Sequence, residues 1–290
     1  MNIASCLGLT NSWGTDMAPD ILEQDTGKTV GGGEEAGLRT ATELAKRGHS
    51  VDLFWCGQPG EWRGVKFHSI VDPLSSWLVR NPPDVIIGWS TILPFQFVPV
   101  GTLKMLAIQL NDCWCQGYWG TVDCVISPSR SHAMQLHGWG WRNRPWTVVH
   151  NGLDPELYED ALEWKSRPLD VGYWSSPDRG LQHLLKAWPE VKAKVPTARL
   201  HVFYEIDRWL GTGAARSLGP YGDRARLMLH ELLPKAKADS SIIFHGAVTR
   251  KTLAKTQVNC RVQCYSFQPV HFVEGFCGSV NQGIASGCHV

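Results

Sequence analysis

What most constrains this chain is a Gly-rich turn that runs into an amphipathic helix and then a strand, TVGGGEEAGLRTATELAKRGHSVDLFW, over residues 29–55. Ala36, Thr40, Ala41, Leu44 and Ala45 recur at helical spacing, Gly48 closes the helix, and Val51–Trp55 reads as a buried strand. With Asn2–Gly8 as a preceding strand, the stretch is a β–α–β unit, which requires a parallel pair with a helix packed across it. The pattern continues with strands expected at Val65–Ile70, Asp84–Gly88, Lys104–Leu110, Asp123–Ser127 and Trp146–His150, and a helix over Ser129–His137.

A second run of the same kind starts at Leu169–Trp174. Leu181, Leu184, Leu185, Trp188 and Val191 form an amphipathic helix that Pro196 stops, and Leu200–Tyr204 is the next strand. A helix within Arg224–Ala238 is expected to break at Pro234. Strand Ser241–Phe244, helix Thr249–Val258 and strand Cys260–Tyr265 follow. Alternating strands and helices predict an α/β fold with mostly parallel, doubly wound sheets. The reading is two similar domains in tandem, residues 1–160 and 161–290, with a cleft between them.

Composition narrows the function. Hydrophobic content of 43% supplies a core, and 28 Lys+Arg against 27 Asp+Glu leave a formal charge of +1. No global field therefore argues for nucleic acid or a membrane, which leaves only a local basic groove as a route to either. Nine cysteines lack zinc spacing: Cys113 and Cys115 stand too close, and Cys260 and Cys264 have no histidine partner at finger distance. They read as thiols in a reducing cytoplasm. The opening MNIASCLGLTNSWG has no basic n-region, and no apolar run reaches the length of a membrane span, so a cytoplasmic, soluble chain is expected. Of fourteen tryptophans, Trp114, Trp119, Trp139, Trp141 and Trp146 crowd one region; a carbohydrate or base-stacking surface and a Trp-rich core or interface explain them equally.

Three stretches carry chemistry. The first is EGFCGSVNQGIASGCHV, Glu274–Val290, which reads as an acidic residue, a Gly-rich turn and a short helix bearing Val280, Ile284 and Ala285. Backbone N–H groups of Gly275, Phe276, Cys277 and Gly278 there can hold a phosphate or sugar oxygen, and Glu274 suits sugar hydroxyls; a plain capped helix has the same appearance. The second is Gly31-Gly32-Gly33-Glu34, where glycines admit an anion to a helix start. A dinucleotide fingerprint is excluded, because more than twenty residues separate these glycines from the first strand. The third is SSPDRGL, where Arg179 sits at a helix start against the dipole. An anion shared with the Ser175 and Ser176 hydroxyls would account for that placement, and so would a solvated arginine after a Pro-Asp turn.

These segments, with VISPSRSHAMQLHGWG, VVHNGLD and FHGAVTRKTLAK between them, stand in the order seen in retaining glycosyltransferases. The chain resembles the large nucleotide-sugar-dependent family 4 over nearly its whole length. That resemblance implies a GT-B fold, two Rossmann-like domains facing across a cleft, and a second domain shortened at its C-terminal end. It further implies that Gly32 and Gly33 lie by the donor diphosphate and that Arg179 neutralises it in place of the usual lysine. By the same resemblance Glu274 orients the donor sugar, Gln282 takes the place of a second carboxylate on the nucleotide ribose, and Ser175, Ser176, Gly246, Gly275, Phe276, Cys277 and Gly278 line the donor site. Tyr173 and Trp174 stand where an arginine is common, and three further departures stand out: Gln282 is uncharged, Trp89-Ser90 replaces an expected histidine, and the sequence stops at Val290 where family members continue.

The expected reaction moves a sugar from a UDP- or GDP-sugar to a hydroxyl of a glycan, lipid, protein or modified base in DNA. A catalytically silent nucleotide-sugar-binding module and a sugar-nucleotide epimerase are the alternatives. Positioned amides and an arginine stabilise a departing diphosphate without a metal. The chain has no D-x-D motif, so neither cofactor nor metal is expected. Turnover should survive excess EDTA unchanged; loss that magnesium or manganese restores would show the expectation to be wrong.

Overall fold

The structure is a computed structural model that describes residues 1–7, 17–24, 30–70, 74–109, 119–138, 145–211, 219–266 and 276–290. The described residues fall into two units. One lies within residues 1–152 and includes Phe276; the other lies within 153–266 and 277–290.

In the first unit the order is β1 (Asn2–Cys6), α1 (Gly32–Lys46), β2 (Ser50–Trp55), β3 (Gly60–Trp62), β4 (Val65–Ser69), α2 (Leu74–Arg80), β5 (Val85–Trp89), β6 (Leu103–Ala107), β7 (Cys124–Ser127), α3 (Arg130–Gly138) and β8 (Trp146–Val148). Eight strands form one sheet in the order β3-β4-β2-β1-β5-β6-β7-β8. Central strands buried on both faces need near-continuous apolar sequence, and IASC, LFW and VIIGW supply it. Ile3, Leu38, Ala41, Leu53 and Trp55 pack on the α1 face; Ala4, Phe54, Ile86, Leu106 and Leu136 pack on the other.

The antiparallel hairpin β3–β4 was not among the expected elements. Trp62 pairs with Val65 and leaves Arg63 (φ 48°) and Gly64 (φ 76°) as a two-residue loop. Two successive left-handed residues give the turn whose twist matches a hairpin, with glycine at the second. The strand escapes detection because three residues are too few to show alternation.

In the second unit come β9 (Asp170–Tyr173), α4 (Leu181–Lys194), β10 (Arg199–Phe203), α5 (Ile206–Gly211), α6 (Gly219–Leu227), α7 (Leu233–Ala238), β11 (Ile242–Gly246), α8 (Arg250–Gln257), β12 (Val262–Gln263) and α9 (Gly278–Ala285). The sheet order is β11-β10-β9-β12, all parallel. Leu184, Leu185 and Trp188 of α4 pack with Leu200, Val202 and Met228 on one face, and Trp174, Phe203, Leu253 and Cys260 cluster on the other.

The expected break at Pro234 does not occur. A π-helical turn, Met228–Leu232, joins α6 to α7 instead. Proline lacks an N–H and its ring crowds the carbonyl four residues back; widening the helix one turn earlier relieves both faults without ending it. The last strand is shorter than the expected Cys260–Tyr265, because its ladder to β9 extends only over Val171 and Gly172. Gly287, at φ 73°, turns the chain after α9 so that His289 bridges Val262 in parallel.

No helix among the described residues is long and apolar enough to cross a membrane. The start of α8 rests on Thr249, whose hydroxyl accepts from the Thr252 N–H at 3.2 Å. Thr249→Ala should therefore lower stability by about 1 kcal/mol, read as a lower urea midpoint with an unchanged slope.

Candidate functional site

In an open parallel sheet, the crevice lies outside the carboxyl ends of the strands where strand order reverses. In the second unit that point is between β9 and β12, so the loop from β9 to α4 and the chain leaving β12 border it.

The end of β9 organises this region. Tyr173 and Trp174 are consecutive, so their side chains enter opposite faces of the sheet. The fully buried Tyr173 hydroxyl donates to the Ser176 carbonyl at 2.6 Å, and its ring packs with Leu181 at the start of α4. Burial, reinforced by nearby Asp178, pushes the Tyr173 pKa well up, so the donor stays protonated. The Trp174 indole donates to the Ser279 carbonyl at 3.0 Å, and the Ser279 hydroxyl donates back to the Trp174 carbonyl at 3.0 Å. One strand end thereby fixes the starts of α4 and α9.

Between those anchors the loop is tightly closed. The Arg179 N–H donates to the Ser176 carbonyl at 2.9 Å, and the Ser176 hydroxyl donates to Asp178. Gly180 has φ 110°, and a Cβ there would sit 1.9 Å from the Ser266 carbonyl oxygen, so only glycine fits. Ser266 returns a hydroxyl bond to the Gly180 carbonyl at 2.6 Å. Arg179 is left half-buried and forms no ion pair with any described residue. Ser175 and Ser176 lie beside it, also half-buried.

The other expected donor-site residues distribute as follows. Gly246 ends β11 at φ 69°, with open space where a Cβ would stand. Cys277 is the N-cap residue of α9, which has no side-chain cap, and Gly278 likewise borders open space. Gln282 lies half-buried on α9, its amide oxygen accepting from Gln257 Nε2 at 3.3 Å; Gln257, fully buried, in turn accepts from the Tyr158 hydroxyl at 3.2 Å. Phe276 belongs to the first unit, where it stacks on His150 with ring centroids 4.8 Å apart. Glu274 and Gly275 lie outside the described residues, as do Trp114, Trp139 and Trp141.

In the first unit the reversal is between β1 and β5, beside the start of α1. Gly31 is the N-cap residue, with no side-chain cap. A Cβ on Gly31 would meet a Glu34 carboxylate oxygen at 2.4 Å, one on Gly32 would meet nothing within 4 Å, and one on Gly33 would touch the Gln109 side chain at 3.5 Å. Gln109 accepts from Asn151 Nδ2 at 2.9 Å, so two amides border the Gly-rich turn. Ser90 adopts φ 55° just past β5, and its N–H donates to the Ala107 carbonyl at 2.8 Å.

No protein-family model and no curated protein matches the sequence. Solved structures do match. HepE of Anabaena, solved with UDP and glucose, superposes with a TM-score of 0.62 at 17% identity, over 99% of this chain and 79% of that chain. Sucrose-phosphate synthase from Thermosynechococcus elongatus gives 0.67 at 13% identity, over 99% and 80%. AviGT4, a glycosyltransferase involved in avilamycin A biosynthesis, gives 0.59 at 16% identity, over 99% and 77%. The chain has the GT-B glycosyltransferase fold.

Within this GT-B fold two sequence departures acquire a physical reason. Trp89, in place of the expected histidine, is buried, donates to the Ser5 hydroxyl at 3.2 Å, and fills space against Gly37 of α1. Tyr173, where an arginine was expected, holds the β9–α4 loop. Sequence reading passed over Gln109, Asn151, Ser266 and the Tyr158–Gln257 pair; Asn151 stood in the quoted VVHNGLD, while nothing in sequence joins the others to the site.

Gly32 and Gly278 have room for a Cβ, and Gly180 has none. Gly32→Ala and Gly278→Ala should leave thermal stability unchanged or slightly raised and weaken nucleotide binding. Gly180→Ala should lower stability by about 1–3 kcal/mol. Differential scanning fluorimetry with and without UDP reads all three.

Proposed function

We propose that this chain is a nucleotide-sugar-dependent glycosyltransferase that retains anomeric configuration and works without a metal. The observation that carries the reading is Arg179: a half-buried guanidinium at the switch point of the second unit, held by backbone bonds and lacking a described carboxylate partner. A cation so placed is suited to a diphosphate, which it would meet with charge-assisted bonds. The Ser175 hydroxyl and the start of α9 at Cys277 and Gly278, which has no side-chain cap, add donors for the same anion; the Ser176 hydroxyl is already committed to Asp178.

In this reading Arg179 stabilises the charge that develops on the departing diphosphate, Glu274 orients the donor sugar, and Gln282 faces the ribose. The acceptor hydroxyl attacks from the leaving-group side. HepE was solved with UDP, which makes UDP the first probe and UDP-glucose the first donor.

A second reading, a silent nucleotide-sugar-binding module, is favoured by Gln282. Its amide oxygen is already occupied by Gln257, in a neutral chain where the resemblance implies a carboxylate. Release of UDP from UDP-glucose by pure protein, alone or with an acceptor, separates the two; binding without release supports the module.

Arg179→Ala should leave the fold intact and weaken UDP by about 10- to 100-fold, the loss of a charge-assisted bond of roughly 1.5–3 kcal/mol. Calorimetry checks this, and an unchanged Kd removes Arg179 from the site. Glu274→Ala should lower turnover on UDP-glucose more than it lowers UDP affinity, because it acts on the sugar. Equal effects on both would contradict that role.

A further inference from the structure

The first unit holds a cavity that the donor site does not use. It has a volume of about 610 Å³ and lies over Asn2–Ala4 of β1, Asp52 of β2 and Lys66 and His68 of β4, with no residue of the Gly-rich turn in its lining. Its floor and wall carry Asn2, Asp52, Lys66, His68, Trp77 and Asn81.

The placement of these side chains is unusual for a central parallel sheet, whose strands are ordinarily apolar on both faces. On the α1 face the same strands present Val51, Leu53, Trp55, Val65 and Phe67, all buried. On the cavity face they present Asp52, Lys66 and His68 instead, and the seven-residue α2 covers only part of that face. The polar groups are organised. His68 Nε2 lies 2.7 Å from Asp52 Oδ1, and the His68 ring stacks on Phe54 at 4.8 Å and lies against Trp77 at 5.1 Å. Trp77 also meets Phe54 edge-on at 5.0 Å, so its indole is fixed. Asn81 Nδ2 donates to the Trp77 carbonyl at 3.1 Å, leaving its amide oxygen as an acceptor. Lys66 is exposed and forms no ion pair with a described residue.

This chemistry selects among ligand classes. One carboxylate and one ammonium balance, so neither an anion nor a cation has the advantage of net charge. A phosphate would face Asp52, and an acyl chain would strand the polar floor. A neutral polyol satisfies every group: hydroxyls donate to Asp52 and Asn81 and accept from Lys66, while C–H faces lie against Trp77 and His68. The volume lies in the range of small-ligand sites. We propose that this cavity is a carbohydrate-binding site, distinct from the donor site and suited to holding a glycan.

The test is saturation-transfer-difference NMR of the whole chain with methyl α-D-glucopyranoside, N-acetylglucosamine and maltose, each alone and with saturating UDP. At least one sugar should receive saturation that UDP does not remove, and its affinity should fall about tenfold in Asp52→Asn and in Lys66→Ala. Lys66 is exposed, so that variant decides if Asp52→Asn fails to fold. Absence of transfer to all three sugars, transfer abolished by UDP, or affinity unchanged in Lys66→Ala and any folded Asp52→Asn would overturn the proposal. Failure of the glycosyltransferase reading appears separately, as loss of UDP binding or of donor turnover.

Discussion

The second unit depends on the last two side chains at the β9 end, Tyr173 and Trp174. A strand sends consecutive residues to opposite faces, so this one step of chain reaches both helical layers. Tyr173 goes into the α4 layer, packs with Leu181 and donates to the Ser176 carbonyl; Trp174 goes into the α9 layer and exchanges bonds with Ser279. Gly172 makes room for the indole, since a Cβ there would lie 1.9 Å from its ring. Loops at the ends of strands are ordinarily among the least stable parts of a domain. Here each helix start is instead tied to a strand that is central in its sheet, and the loop between them inherits that rigidity.

Electrostatics then separate the two Gly-containing helix starts. At α1 the Glu34 carboxylate already folds back over Gly31, supplying the negative charge that the dipole favours. An incoming diphosphate would have to displace it or share the site with it. At α4 the charge is reversed, since Arg179 precedes the helix and the dipole works against it by a few tenths to 1 kcal/mol. Moreover, two of the first α4 amides, those of His183 and Leu184, are taken by the Gly180 carbonyl. In the proposed reading an anion at this helix start would be held by the guanidinium more than by backbone donors, and α9, with no side-chain cap, would be the better source of amides.

Much of this was legible in the sequence, and the exceptions have causes. Long elements with a clear period, α1 and α4 above all, came out within a few residues, because a buried stripe on a helix leaves a periodic trace. The three-residue β3 left none, and β12 proved shorter than the expected Cys260–Tyr265, since the extent of pairing is decided by partners distant in sequence. Pro234 misled because the remedy for a proline, a π turn, has no sequence mark. In the candidate site, glycines and Arg179 could be singled out from spacing alone. The part played by Tyr173 could not: its hydroxyl matters only because β9 delivers it beneath a loop whose closure depends on Ser266, far along the chain.

Gln282 shows what a neutral side chain does in such a place. The fully buried Gln257 behind it has no charge, and a Tyr158 hydroxyl completes the chain. An ionised carboxylate on α9 would lose part of its hydration against this wall, with only neutral donors in return, and burial without a counter-charge raises a carboxyl pKa. An amide avoids that penalty. It accepts from Gln257 through its oxygen and keeps its N–H₂ group for a hydroxyl, so the polarity of the contact is reversed: Gln282 would donate to a ribose where a carboxylate would accept from it. Amides do not titrate, so a bond of this kind holds constant strength across the pH range in which a carboxylate would lose its charge. The substitution that looks like a loss in the sequence is, in its surroundings, the side chain that a neutral buried wall can support.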